Sequence, residues 1–177
     1  MALNAAAQAA GARAAVSAGA GAIHVHVCGP DGRESLAAPD VARMLQVVRR
    51  TCAAVPVGIS TAAWIVPGEG DRLTLVGSSL RDRCFRILLE PLEQAVDAAQ
   101  HTVAGMEASL DRAHVRQPRL LHGQDATAWH FVREAATKGY DTRVGFEDVL
   151  ALPDGRRAPD NAALVAAARD LVAAVGR

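Results

Sequence analysis

Ala22-Ile23-His24-Val25-His26-Val27 and Val55-Pro56-Val57-Gly58-Ile59-Ser60-Thr61 are short apolar runs, partly β-branched and bounded by turn residues, as buried strands are. Phe85 to Glu90, Arg119 to Gly123 and Thr142 to Glu147 repeat the pattern. The starts recur about thirty residues apart, the length of a βαβ unit, with a shorter last interval that still holds one helix. Helical spacing fills the gaps. Asn4 to Ala18 is Ala-rich and stops at Gly19-Ala20-Gly21, and Pro39 opens Asp40 to Cys52 with Val41, Met44, Leu45 and Val48 on one face. Ala126 to Lys138 carries Trp129, Val132 and Ala136 and ends at Gly139, and Pro159 opens a last helix along Leu164, Ala168, Leu171 and Val175. Strands alternating with helices predict an α/β fold around a parallel sheet of five strands.

Composition narrows the function. The chain has 177 residues, half of them hydrophobic, enough for one domain with a sizeable core. Nineteen basic side chains balance nineteen acidic ones, so no net field draws it to nucleic acid or an anionic membrane. Apolar runs break well short of the roughly 18 residues of a membrane span, and no secretory signal is visible at residues 1 to 20. Three lone cysteines, Cys28, Cys52 and Cys84, speak against a disulfide framework and for a reducing, cytoplasmic setting. Gly-x-Ser-x-Gly and Walker sequences are missing, and Gly19-x-Gly21 precedes its strand, the wrong order for a dinucleotide fingerprint. Arg49-Arg50 and Arg81-Asp82-Arg83 read as solvated helix ends, with contacts to an acyl-carrier phosphate as the alternative, and Trp64 and Trp129 as core or pocket walls rather than stacking platforms, aromatics being too sparse for a nucleic-acid surface.

Parallel α/β folds carry their ligands at the carboxyl ends of the strands. Here those ends read His24-Val25-His26, Ser60-Thr61, Glu90-Pro91, His122-Gly123 and Glu147-Asp148. His24 and His26, two apart in a strand, share a face about 6 to 7 Å apart along the chain. That spacing suits two ligands on one ion, the other reading being packed, hydrogen-bonded histidines. Cys28 lies on the same face and offers a soft ligand. Glu147 reads as the carboxylate ligand and Asp148 as a general base, or Asp148 as the cap of a following turn. Ser60 and Thr61 are placed to hydrogen-bond a substrate carbonyl or carboxylate.

Several motifs together resemble the β-keto acid cleavage enzymes. They are His24-Val25-His26-Val27 followed by Asp31-Gly32-Arg33-Glu34-Ser35, then Val57-Gly58-Ile59-Ser60-Thr61 and Arg86-Ile87-Leu88-Leu89-Glu90-Pro91. Leu120-Leu121-His122-Gly123, Thr142-Arg143-Val144-Gly145-Phe146-Glu147-Asp148 and Leu152-Pro153-Asp154-Gly155-Arg156 with Asn161 complete the series in the family's order. The resemblance implies a TIM-type (β/α)₈ barrel that binds a divalent metal, usually zinc. It implies C–C cleavage and acyl transfer between a β-keto acid and acetyl-CoA, giving acetoacetate and a CoA thioester, by a homo-oligomer. By position it implies His24, His26 and Glu147 as metal ligands, Asp148 as the base with Arg143 assisting, and Ser60, Thr61 and His122 at the substrate. An ideal strand would hold Arg143 and Glu147 about 13 Å apart, so the strand must bend or Arg143 must reach upward.

The departures are equally legible. A complete barrel of this type takes about 250 residues. Laid on the family pattern, the chain lacks the first strand and an internal segment near residues 76–77, which leaves an incomplete barrel of about five strands. Cys28-Gly29 stands where the family commonly has Arg-Asp, and Ala62 replaces a glycine. A catalytically impaired metal-binding relative is therefore the alternative to an active enzyme.

Overall fold

The computed structural model describes residues 5–59 and 84–176. They gather into two compact units, one of residues 5–59 with 159–166 and the other of 84–158 with 167–176.

In the first unit, α1 (Ala5–Ser17) leads to β1 (Ile23–Val25), α2 (Ala38–Thr51) and β2 (Val57–Ile59). Pro39 sits in the first turn of α2, where its missing N–H costs nothing and its fixed φ favours the helix. Met44 and Val48, one turn apart, bury the same face, each worth about 1.5–3 kcal/mol by removal from water. They meet Ala12 of α1 and Val25, Val27 and Cys52 in one apolar cluster. β1 and β2 pair in parallel, with Ile23 opposite Val57, His24 opposite Gly58 and Val25 opposite Ile59. Because side chains alternate along a strand, burial of Val25 turns His24 to the opposite, exposed face.

In the second unit, β3 (Ile87–Leu89) and β4 (Arg119–Leu121) are parallel, and α3 (Val96–Arg112) crosses between them. A short 3₁₀ turn, Asp125–Thr127, follows β4 and runs into α4 (Ala128–Lys138). Ile87, Leu89 and Leu121 point to one side, where Val103 and Leu110 of α3 and Phe131 and Ala135 of α4 cover them. α4 ends where the sequence placed its stop. Gly139 adopts φ 68°, and the N–H groups of Gly139 and Tyr140 reach back to the carbonyls of Ala136 and Ala135, a Schellman closure. The last helix, α5 (Asn161–Val175), starts among the first unit's residues 159–166 and begins after Asp160, whose Oδ1 accepts the Ala163 N–H at 2.8 Å.

Two expectations change. Each described strand is three residues long, shorter than its apolar run, and the described residues form two two-stranded sheets rather than a closed barrel. Thr142 to Glu147 is not a strand. Asp141 alone makes a parallel bridge, to Leu120, and the chain then turns because the Gly145 carbonyl accepts both the Asp148 and the Val149 N–H at 2.9 Å. The expected break near residues 76–77 lies outside the described residues. Among the described residues, no helix is long and apolar enough to cross a membrane.

Candidate functional site

The strand ends of each unit carry polar side chains. In the first unit, His24 and His26 share the face opposite the core, their ring centroids 5.2 Å apart and nearly perpendicular. Gly58 lies across the ladder from His24. The chain after Val27 folds back through Asp31-Gly32. The Arg33 N–H bonds Asp31 Oδ1, the Gly29 N–H bonds the Arg33 carbonyl at 2.8 Å, and the Ser35 N–H bonds the Val27 carbonyl at 2.9 Å. Ser35 Oγ also donates to Asp40 at 2.6 Å, pinning the loop to the first turn of α2. This return brings Glu34 against Nδ1 of His26. Cys28 is half-buried and bridges antiparallel to Glu34.

The second unit holds a denser cluster. The register that sets Leu88 beside Leu120 carries on one pleat to set Glu90 beside His122, on the face away from the helices. The His122 N–H donates to the Leu89 carbonyl at 3.2 Å. Its ring is entirely buried, with Nε2 3.6 Å from Glu90 Oε2 and Nδ1 3.5 Å from Asp148 Oδ1. Gln124 donates to the other oxygen of Glu90 at 2.7 Å. Gly123 must be glycine for lack of space: a Cβ there would lie 2.5 Å from Thr127 Oγ1 and 2.6 Å from Phe131 Cδ2.

The turn at Gly145 resolves the reach of Arg143. Curling the chain brings its Nη2 to 3.1 Å from Glu147 Oε1 and 2.9 Å from Asp148 Oδ1. Glu147 stays exposed while Asp148 is buried. Oδ2 of Asp148 is buried and accepts no hydrogen bond among the described residues.

The two buried-side carboxyls are driven apart. The His122 imidazole, foremost, holds Glu90 down to about 2 against the opposing effect of burial, with Arg143 and the Gln124 amide adding to the pull. Burial pushes Asp148 above the usual carboxylate range, although Arg143 and His122 pull it down, and Glu147 adds to the rise.

Of the residues expected at the site, the structure brings His24 and His26 together in the first unit, and His122, Arg143, Glu147 and Asp148 together in the second. Ser60 and Thr61 lie outside the described residues. Glu90 and Glu34 were given no role by the sequence. The signal for Glu90 was its place at a strand end in register with His122. The signal for Glu34 was its place in the motif that follows the histidines.

In the second unit, Glu90 and His122 at the strand ends gather with Arg143 and Asp148 of the Gly145 turn into an acid–base cluster, at the end of the strands where α/β folds carry their ligands. Residues 3–90 and 85–177 match the family model of the beta-keto acid cleavage enzymes, so the chain belongs to that family, whose fold is TIM-barrel-like. A match in two stretches is consistent with a shortened member. The family's activity is β-keto acid cleavage, which implies small-molecule substrates. No curated protein matches the chain.

Proposed function

We propose that this protein is a divalent-metal-dependent acyltransferase that cleaves a β-keto acid against acetyl-CoA, yielding acetoacetate and a CoA thioester. The observation that carries the reading is Asp148. Within a chain of this family, one carboxylate is buried, gripped through Oδ1 by Arg143, and left with Oδ2 unbonded among the described residues, next in sequence to Glu147. Raised basicity is what a proton-abstracting carboxylate needs near neutral pH.

By their position in the family's motifs, His24, His26 and Glu147 are the residues that would hold the ion, two imidazoles and one carboxylate, a donor set that suits zinc and leaves a position open. A bound divalent ion supplies Lewis acidity toward the keto oxygen. Glu34 would orient His26 by its contact at Nδ1. Asp148 takes the substrate proton at Oδ2, and Arg143 neutralises the charge on Oδ1. Ser60 and Thr61 complete the reading as substrate-positioning hydroxyls. A cytoplasmic homo-oligomer is its cellular form.

The test is acetyl-CoA-dependent acetoacetate formation from a panel of β-keto acids with the zinc-loaded full chain. Turnover with any of them, lost in Asp148→Asn, is the expected result. Silence across the panel with zinc bound would establish the impaired relative instead.

A further inference from the structure

His122 and Glu90 have no part in the proton transfer, yet they lie at the centre of the second unit's charged cluster. Their geometry is specific. The ring of His122 has no exposed surface, and both its nitrogens are buried without a hydrogen-bond partner among the described residues. Each nitrogen faces one carboxylate oxygen, at 3.5 and 3.6 Å. The Gln124 amide, bonded to the far oxygen of Glu90, turns the near oxygen to the ring. Glu90 and His122 stand on rigid strand ends, whereas Asp148 stands on a turn. Thr127, directly behind in the 3₁₀ turn, is fully buried, and Phe131 packs where Gly123 lacks a side chain.

Burying a histidine between two carboxylates costs desolvation that an apolar side chain would avoid, so stability alone does not explain the choice. Contacts about half an ångström longer than a hydrogen bond are also what an acid–base array shows before substrate tightens it.

We propose that His122 is a positioning residue: anchored by Glu90 through Nε2, it holds the Asp148 carboxylate through Nδ1, so that Oδ1 is fixed between His122 and Arg143 and Oδ2 is presented to the substrate. The proposal rests on the reading of Asp148 as the base. His122, placed at the substrate by the sequence, thus acts through Asp148, and Glu90 gains its role as the anchor. Arg143 alone leaves the carboxylate free to rotate about a single contact, and the imidazole supplies the second.

The experiment joins a spectroscopic readout, independent of turnover, to a kinetic one. Imidazole nitrogen spectra are recorded on the ¹⁵N-histidine-labelled full chain, with the His122 signals assigned by their loss in His122→Gln, or His122→Asn where the first does not fold. Asp148→Asn is expected to shift the Nδ1 resonance and Glu90→Gln the Nε2 resonance. A His122 spectrum unmoved by Asp148→Asn overturns the proposal. In turnover, Glu90→Gln is expected to lower kcat roughly 10- to 100-fold with KM within about twofold, the mark of a misaligned base. Unchanged kcat, or a loss confined to KM, overturns it as well. A parent that makes no acetoacetate refutes the functional reading by itself, and the nitrogen spectra then decide whether His122 holds Asp148.

Discussion

Glu90 is held as a carboxylate down to about 2 by the imidazole beside it, while in the unfolded chain it titrates at about 4.3. Its folded value is the lower one, so its contribution to stability is complete above the unfolded value and disappears as pH falls through the folded one. Denaturant midpoints measured from pH 5 to pH 2 should therefore fall more steeply in the parent than in Glu90→Gln, by roughly 2–3 kcal/mol over that range. Parallel slopes would contradict the pairing with His122. The neighbouring Gly123 gives a second test at this scale. A methyl group there would press on Thr127 and Phe131, both fully buried, and neither can move away. Gly123→Ala should lose about 1–3 kcal/mol in equilibrium unfolding, an overpacking cost. Glycine after the histidine of Leu121-His122-Gly123 was visible in the sequence. Its reason was not, because the atoms it must avoid belong to residues four and eight positions on.

At the scale of elements, helices that carried punctuation were legible. Pro39 marked the start of α2, Gly139 the end of α4, and Pro159-Asp160 the approach to α5. α3 carries no such marks, so its bounds are not legible in the sequence although Ala99, Val103 and Leu110 bury one face. Thr142 to Glu147 misled for a physical reason. Thr142 and Val144 favour extended backbone, but side-chain propensity says nothing of the Gly145 carbonyl, which closes a turn with Asp148 and Val149. That turn removes the 13 Å difficulty between Arg143 and Glu147, since their side chains meet across it. The Gly139 stop predicts its own variant. At φ 68°, alanine pays the left-handed penalty, so Gly139→Ala should lower stability by about 1 kcal/mol and Gly139→Asn by less. Thermal unfolding of the two variants side by side checks the order.

For the whole molecule, the proposed chemistry is legible in the sequence where one residue type at one position would carry it, as with His24, His26, Arg143, Glu147 and Asp148. It is not legible where a residue works by touching another, as with Glu34 on His26 and Glu90 on His122. Metal linkage tests both kinds together. A ligand that binds only the folded chain raises its stability by RT ln(1 + [L]/Kd), about 2.7 kcal/mol at a hundredfold excess over Kd. Chelator-treated protein should therefore melt lower than protein returned to zinc, with about one ion per chain by elemental analysis, the number a single donor set of this kind holds. His24→Ala combined with His26→Ala should abolish both the ion and the shift. Glu34→Gln keeps every proposed ligand and removes only the charge against His26, so it should still bind one zinc, but about 10- to 100-fold more weakly. Equal affinity in Glu34→Gln would mean that the contact at Nδ1 merely closes the loop. A zinc-induced shift surviving in the double histidine variant would place the ion elsewhere and remove the metal from the proposed chemistry.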